Sequence, residues 1–220
     1  MDGMLQDRWD AVIFDFDGVL CDSNPLKGET FATLYADEGP AVQEAIRTYH
    51  RGNGGMPRRE KLARFERDVL GRTLDEERLD RLVDGFAAAV EEAVIACTEI
   101  PGASEFLAAH AGRLSLFIIS ATPHEEMLRI VARRGMAGRF VSVHGSPPGK
   151  AETAAMLLAR HGLRPDRVAF VGDAVQDYAA ATALNLPFVG VRDTDGGHPF
   201  PDGTPTIATL HELPAALAAL

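Results

Sequence analysis

Residues 11–18 read AVIFDFDG, and this short stretch carries the main clue to the fold. Its first four residues form an apolar, partly β-branched run, which is typical of a strand buried on both faces of a parallel sheet. Because strand side chains alternate between faces, we expect Asp15 and Asp17 to point the same way at the end of that strand. Two adjacent carboxylates are electrostatically costly unless a cation joins them, and the carboxyl edge of an open α/β sheet is where ligands bind. The stretch therefore predicts a buried first strand with a ligand site at its end.

Apolar runs of the same kind recur later in the chain and alternate with helical patterns. The further predicted strands are residues 114–119, 140–143, 168–171 and 188–191. The helices predicted between the later runs are residues 123–134, 151–161 and 175–184. Strands that alternate with helices of this length form βαβ units. We therefore predict an α/β protein whose core is a doubly wound, Rossmann-like parallel sheet.

One long segment between the first two predicted strands breaks this alternation. Four helices are predicted there, at residues 25–37, 40–50, 58–70 and 75–96, and no convincing strand. A helical block inside a single βα crossover is best interpreted as an inserted domain. We predict a core made of residues 1–21 and 101–220, with an all-helical cap domain at residues 22–100.

Composition excludes several classes of protein. The chain has 220 residues, of which 46% are hydrophobic, and its formal net charge is -10. The length suits one large domain or a core with an insert, and the composition is ordinary for a soluble globular protein. The acidic balance argues against a nucleic-acid partner, which usually needs a basic face. Lysine is scarce, since the sequence contains Lys27, Lys61 and Lys150 and no others.

The cysteines and the N-terminal residues indicate the compartment. Cys21 and Cys97 are the two cysteines, and they form no CxxC motif. This usage fits a reduced cytoplasmic compartment better than a disulfide framework or a structural zinc site. Residues 1–10 contain no apolar segment of the secretory type, and the apolar runs elsewhere are too short to cross a bilayer. We expect a cytoplasmic, soluble protein without a membrane partner.

Polar residues follow several of the predicted strands at the point where each strand ends. Ser120 directly follows the second predicted strand, and Asp173 follows the strand at residues 168–171, with Asp177 one helical turn later. Lys150 follows a Gly/Pro-rich loop and opens a helix. Because the carboxyl ends of parallel strands share one sheet edge, these side chains can converge with Asp15 on one pocket.

These motifs, in this order, resemble the haloacid dehalogenase (HAD) superfamily. The resemblance is carried by DFDGVL at residues 15–20, Ser120, Lys150 and GDAVQD at residues 172–177, and it spans about residues 10–191. The position of the helical insert resembles members of the phosphoglycolate phosphatase and β-phosphoglucomutase kind. One departure is that Ala151 follows the lysine, where members often have proline. The resemblance implies an enzyme that acts on a phosphate ester.

The resemblance also implies a role for each carboxylate. Asp15 would be the nucleophile that becomes an aspartyl phosphate, and Asp17 the general acid that later activates water. Mg²⁺ would be held by the carboxylates of Asp15 and Asp173 and by the backbone carbonyl of Asp17. Asp177 would be an outer residue that orients Lys150 or a metal-bound water.

Other residues are implied to bind the phosphoryl group and the rest of the substrate. Ser120 and neighbouring backbone N–H groups such as that of Ala121 would bind phosphoryl oxygens, and Lys150 would neutralise charge on the nucleophile and the phosphoryl group. Arg58 is similar to the cap arginine that approaches the substrate in related caps, and Lys27 is a second candidate.

Four neighbouring residues have plainer interpretations. Lys61 and Arg59 are expected to be solvated. Asp22 and Ser23 precede Pro25 and are expected to cap the first cap helix.

The leading hypothesis is a Mg²⁺-dependent phosphatase acting on a small phosphorylated metabolite, such as a sugar phosphate or phosphoglycolate. Dehalogenation is disfavoured, because dehalogenase-type relatives lack a carboxylate at the position of Asp17. A phosphomutase of the β-phosphoglucomutase type stays open as an alternative, and so does a non-catalytic binding module that keeps the fold. The sequence leaves the oligomeric state undetermined.

Overall fold

A six-stranded sheet forms the centre of the computed structural model, which describes residues 3–73, 75–193 and 197–220. All neighbouring strands pair in parallel, in the order β3-β2-β1-β4-β5-β6. The strands are β1 (Ala11–Phe14), β2 (Ser115–Pro123), β3 (Ser142–Ser146), β4 (Val168–Gly172), β5 (Phe188–Val191) and β6 (Thr206–Ile207). The chain passes from β1 to β2 on one side and returns to β4 on the other. The strand order therefore reverses at β1, where a doubly wound sheet opens a crevice for ligands.

Helices cover both faces of this sheet, which confirms the predicted fold class. They are α1 (Gly3–Arg8), α2 (Asn24–Thr33), α3 (Pro40–Gly52), α4 (Arg58–Arg64), α5 (Glu76–Ala96), α6 (Ala103–His110), α7 (His124–Arg133), α8 (Lys150–His161), α9 (Val175–Ala183) and α10 (Leu213–Ala219). Alternate residues of β1 enter two separate apolar clusters, as the strand periodicity requires. Val12 packs with residues of α6 and α7, whereas Ile13 packs with residues of α8 and α9.

All five predicted strands are present, but three of them have different bounds and a sixth strand was not predicted. β1 and β5 have the predicted bounds, and β4 continues one residue further, to Gly172. β2 begins one residue late and continues to Pro123, and β3 begins two residues late and continues to Ser146. β6 was not predicted, because its two residues are too few to form an apolar run. Met1, at the start of the predicted core segment, lies outside the described residues, as do Asp2, Leu74 and residues 194–196.

The helices α2 to α5 lie between β1 and β2 in the chain and pack around three phenylalanine rings. The ring of Phe31 stacks on that of Phe86 with centroids 3.9 Å apart. The ring of Phe65 packs edge-on against that of Phe31, with centroids 5.4 Å apart. The single helix predicted at residues 58–70 is α4 continued by a π-helical turn, Phe65–Val69. We call α2 to α5 the helical cap. The exact boundaries of the cap domain stay a prediction.

Two short connections and one helix hold the helical cap over the sheet. The connections run side by side, since Asp22 N–H donates to the carbonyl of Thr98 at 2.9 Å and Ile100 N–H donates to that of Leu20 at 3.1 Å. Helix α7 of the core faces α5 of the cap, and ion pairs join Arg129 with Glu91 and Arg133 with Glu92. Within the described residues, no helix is long and apolar enough to span a membrane.

Candidate active site

Asp15 lies directly after β1 at the carboxyl edge of the sheet. Its backbone N–H donates to the carbonyl of Val171 at 2.9 Å, which extends the pairing of β1 with β4 by one residue. Its side chain is buried, and one carboxylate oxygen accepts from the N–H of Phe16 at 2.7 Å. The other oxygen lies 2.7 Å from Nζ of Lys150. Both oxygens are therefore oriented by fixed donors.

Lys150 begins α8 and lies between two carboxylates. Its Nζ is 2.7 Å from Asp15 and 2.6 Å from Oδ1 of Asp177. The second oxygen of Asp177 accepts from the N–H of Ala174 at 3.1 Å, in the first turn of α9. Burial disfavours the ammonium, but Asp15 and Asp177 outweigh it and raise the pKa of Lys150. The structure thus contains the contact through which Asp177 would orient Lys150.

Asp173 follows β4 and lies beside the glycine of the first motif. Its Oδ2 accepts from Nδ2 of Asn24 at 2.5 Å. Gly18 has φ +74, and a Cβ at that position would lie 2.2 Å from the same oxygen, so only glycine allows this approach. Burial, with the charge of Asp177 adding to it, raises the pKa of Asp173 to about 7.

Asp15, Asp173 and Asp177 form a cluster that fits a divalent cation. Each offers one oxygen, and these oxygens lie within 4.8 Å of one another. Burial raises the pKa of Asp15 well above its usual range, and although Lys150 opposes this, the two neighbouring carboxylates add to it. One ammonium thus faces three carboxylates, which favours a further cation, and an all-oxygen donor set suits Mg²⁺. A groove of about 1000 Å³ reaches Asp173 and Gly18, so an ion has a path to the cluster.

Asp17 has entirely different partners. Its Oδ1 accepts from Oγ of Ser23 at 2.6 Å, and its Oδ2 lies 2.7 Å from Nζ of Lys27. Oδ2 also accepts from Oγ1 of Thr122 at 3.2 Å and from Oγ of Ser120 at 3.4 Å. Burial alone would raise the pKa of Asp17, but Lys27 and Ser23 outweigh it and lower that pKa. Asp17 is therefore held ionised by a cation and hydroxyl groups.

The end of β2 forms one wall of a small cavity beside Asp17. Ser120 is buried, and its Oγ accepts from the N–H of Thr122 at 3.1 Å. The half-buried Ala121 lies between them and also lines the cavity. The volume is about 40 Å³, which leaves room for a group of only a few atoms.

The two cap residues predicted to contact substrate both line this cavity. Nζ of Lys27 reaches from α2 to Oγ1 of Thr122, at 3.0 Å. Arg58 forms a buried ion pair across to α7, with Nη2 2.6 Å from Oε1 of Glu126. Its guanidinium also lies 4.6 Å from the ring centroid of Phe86. The structure brings both residues to the cavity, and their roles toward substrate stay predictions.

Two sequence-based expectations were wrong. Ser23 stands at the N-cap position of α2 but makes no side-chain capping bond, because its hydroxyl donates to Asp17 instead. Lys61 was expected to be solvated, yet it is only 2% exposed and lines the cavity. The surface that buries it comes from α2 and α3, which local sequence does not reveal. Arg59 is exposed, as expected, and pairs with acidic residues of α5.

Sequence reasoning missed three further residues at the site. Asn24 bonds to Asp173, Thr122 bonds to Asp17, and His50 is buried beside Lys61. Thr122 follows Ser120 by two residues and so shares its side of an extended strand, a signal that was available. No comparable local signal marks Asn24 or His50.

Comparisons with known proteins agree on one family. A family model described as haloacid dehalogenase-like hydrolase matches residues 9–185. A phosphoglycolate phosphatase from Salmonella typhimurium is 30% identical over 204 residues, covering 82% of this chain and 80% of that protein. A phosphoglycolate phosphatase from Synechococcus elongatus is 28% identical over 195 residues, covering 82% of each chain.

Solved structures show the same fold. A β-phosphoglucomutase from Clostridium difficile superposes with a TM-score of 0.77 at 16% identity, covering 96% of this chain and 98% of that one. A haloacid dehalogenase-like family protein from Streptococcus pneumoniae superposes with a TM-score of 0.73 at 18% identity, covering 95% and 98%. At these identities the superpositions establish the architecture alone.

Proposed function

Because the chain belongs to the haloacid dehalogenase-like hydrolase family, we propose that it is a Mg²⁺-dependent phosphatase that hydrolyses a small phosphomonoester through an aspartyl phosphate. The substrate would be a sugar phosphate or a phosphoglycolate-like ester, and the second of these is in keeping with the names of the relatives at about 30% identity, which are phosphoglycolate phosphatases. One observation carries this proposal: Asp15 and Asp17 are two residues apart yet have separate surroundings, since Asp15 contacts Lys150 and belongs to the carboxylate cluster, whereas Asp17 contacts Lys27 and hydroxyl groups. Two carboxylates with separated environments are the arrangement that acid–base and nucleophilic roles require.

In the first half of the reaction Asp15 attacks phosphorus. An Asp15 oxygen–phosphorus bond forms, the ester oxygen–phosphorus bond breaks, and Asp17 gives a proton to the departing oxygen. Lys150, 2.7 Å from Asp15, balances charge on the nucleophile. Ser120 donates toward the phosphoryl oxygens. When bound, Mg²⁺ would add positive charge beside the phosphoryl group, held by Asp15, Asp173 and the carbonyl of Asp17.

Asp17 must carry a proton to act as an acid, and its surroundings supply a means. Lys27 and the hydroxyls around Asp17 hold its carboxylate ionised without substrate. A dianionic phosphoryl group beside Ser120 and Thr122 would compete with Asp17 for the ammonium of Lys27. Lys27 is the main group that keeps the pKa of Asp17 low against the effect of burial, so this competition would raise that pKa. Burial then favours the neutral acid. In the second half, water attacks phosphorus and Asp17 takes a proton from that water. The bond between Asp15 and phosphorus breaks, which frees Asp15 and yields inorganic phosphate.

Three further statements belong to this proposal. The partner is a small phosphorylated metabolite that enters between the helical cap and the sheet. The cap domain is residues 22–100, and the core is residues 1–21 and 101–220. The protein works in the cytoplasm, in keeping with the two free thiols of Cys21 and Cys97.

Phosphate release from a panel of phosphorylated metabolites with Mg²⁺ tests the proposal. We expect turnover that EDTA abolishes, and a loss of at least about 1000-fold in Asp15→Asn, because the amide is no nucleophile. The control is Asp202→Asn, which changes an exposed carboxylate that lines neither the cavity nor the groove of the site. Undiminished, metal-dependent phosphate release by Asp15→Asn would refute the mechanism.

The phosphomutase alternative makes a different product from the same aspartyl phosphate. Incubation with β-glucose 1-phosphate and a bisphosphate activator would yield isomerised sugar phosphate from a mutase and inorganic phosphate from a phosphatase. The cavity beside Asp17, at about 40 Å³, suits a phosphoglycolate-like ester better than a hexose phosphate, and a hexose phosphate is the substrate that a mutase of this type requires.

A further inference from the structure

The cavity beside Asp17 is bounded on its cap side by cations. Its core wall contains Asp17, Ala121 and Thr122, and its cap wall contains Lys27, Arg58 and Lys61. Since Asp17 is the proposed donor to the leaving oxygen, the part of the substrate that is not transferred would occupy this cavity. The groups on the cap wall that the phosphoryl group does not engage are therefore placed to recognise that part.

Two of these three cations have a carboxylate partner, and the third has none among the described residues. Lys27 pairs with Asp17, and Arg58 pairs with Glu126. No carboxylate oxygen of the described chain lies within 4.0 Å of Nζ of Lys61. A buried ammonium without a counter-ion is costly to the folded state.

Neutral groups hold Lys61 in place. Its Nζ lies 3.0 Å from Nδ1 of His50 and 3.3 Å from the carbonyl of Gly54, and 5.4 Å from the ring centroid of Phe31. Nε2 of His50 lies 3.2 Å from the carbonyl of Asn24, so Nε2 carries the hydrogen and Nδ1 accepts. An ammonium has three N–H donors, and two acceptors are accounted for. One donor is free for a ligand in the cavity.

Charges near Lys61 explain why an anion would bind there. Burial and the charge of Lys27 lower its pKa to about 7, although the charges of Asp17 and Asp173 oppose this to a smaller extent. A bound anion would supply the missing counter-charge and keep the ammonium protonated. His50 stays neutral beside it, because burial and the two lysines lower its pKa to about 3.

We propose that Lys61 is a specificity-determining residue that binds a carboxylate on the non-transferred part of the substrate. The enzyme thereby selects phosphomonoesters of two or three carbons that carry a second anionic group over neutral sugar phosphates. The phosphoryl group itself is bound at the sheet edge by other residues, which leaves Lys61 for the second anion. This inference rests on the proposed phosphatase function and adds to it the substrate class and the residue that selects it.

Two esters that differ only in the second anion test this inference. 2-Phosphoglycolate carries a carboxylate, and 2-hydroxyethyl phosphate carries a neutral hydroxymethyl group in its place. We expect the wild-type kcat/KM to favour phosphoglycolate at least about 10-fold. Lys61→Met keeps the apolar stem but removes the charge, so the ratio of the two kcat/KM values should fall about 10- to 100-fold, the usual effect of one charge-assisted hydrogen bond.

Separate values of kcat and KM, together with two further variants, make the test specific. The loss should appear mainly as a higher KM for phosphoglycolate, since binding rather than chemistry is affected. Lys61→Gln, which keeps a donor without charge, should lose the same preference and serves if the methionine variant fails to fold. Arg59→Met, an exposed neighbour on α4, should keep the wild-type ratio.

Each outcome separates this inference from the proposed function. If the wild type hydrolyses both esters equally well, or if both Lys61 variants keep the wild-type ratio, Lys61 does not select the anion although the protein is a phosphatase. If the wild type releases phosphate from no ester in a broad panel, the proposed function itself is wrong.

Discussion

Replacement of Lys61 by methionine should make the protein more stable at neutral pH while it removes substrate preference. The side chain is 2% exposed, and no carboxylate of the described chain pairs with its ammonium. Methionine has a similar length and fills the same space without a charge. If Lys61 lowers the stability of the fold, a functional role explains its presence better than a structural role does.

The size of the gain follows from the pKa of Lys61. Its value of about 7 in the folded protein compares with an ordinary value of 10.5. Each pH unit between the two corresponds to about 1.4 kcal/mol, so the protonated side chain costs the folded state at most about 5 kcal/mol. Methionine gives up the hydrogen bond to His50 and the contact with the Phe31 ring, about 1 kcal/mol each. We therefore expect a net gain of about 2–3 kcal/mol in the free energy of unfolding.

The gain should depend on pH in a defined direction. Between pH 7 and pH 10.5 the unfolded wild-type chain holds a proton that folded Lys61 has released. Wild-type stability through this group therefore rises with pH over that range. The advantage of Lys61→Met should be largest at or below pH 7 and should disappear at about pH 9, above which the lost contacts leave the variant less stable than the wild type.

Urea unfolding at pH 7 and at pH 10 measures both the gain and its direction. The comparison is between variant and wild type at the same pH in EDTA, so that other titrating groups and metal ions cancel. Arg59→Met should show no such pH-dependent difference, because Arg59 is exposed. Equal or lower stability of Lys61→Met at pH 7, or a gain that is the same at both pH values, would refute the reasoning.

Three other perturbations test the buried charges. Lys150→Met should lower the free energy of unfolding in EDTA by about 3–5 kcal/mol, since it leaves the buried carboxylate of Asp15 without its cation; an unchanged urea midpoint would contradict this. His50 has a pKa of about 3 in the folded protein against 6.5 ordinarily, so the unfolded chain takes up a proton first as the pH falls. Between pH 7.5 and 5 the wild type should therefore lose about 2 kcal/mol more stability than His50→Gln. An equal loss in the two proteins would argue against a buried neutral histidine. Glu126→Leu should cost about 3 kcal/mol by leaving Arg58 buried and unpaired, and the double variant with Arg58→Met should recover most of it; strictly additive losses would show that the two side chains do not interact.

Much of the fold could be predicted because it depends on local periodicity. The run at residues 11–14 is apolar throughout, and its bounds as a strand were predicted correctly, since a strand buried on both faces has no polar position. The predicted bounds of β3 were displaced from the observed ones, because its half-buried residues, such as His144, are not uniformly apolar. β6 pairs through backbone hydrogen bonds with β5 and needs no pattern of its own.

The candidate site also contains residues that could be predicted from the sequence and residues that could not. Asp15, Asp173 and Lys150 could be placed together in advance, because each follows a strand or opens a helix at one sheet edge. Their contacts in the structure agree with that placement. Ser23 shows the limit of local rules, since its position before a proline predicted a cap, whereas the carboxylate of Asp17 lies within 2.6 Å and takes its hydroxyl.

The sequence by itself determined the order of strands and helices, the helical insert and the carboxylates at the strand ends, since these depend on residues that are near one another in the chain. Only the tertiary structure decided which cations are paired. Lys27 meets Asp17, Arg58 meets Glu126, and Lys61 meets no carboxylate of the described chain. The physical reason is that the cost of a charge depends on what surrounds it, and those surroundings come from helices far apart in sequence.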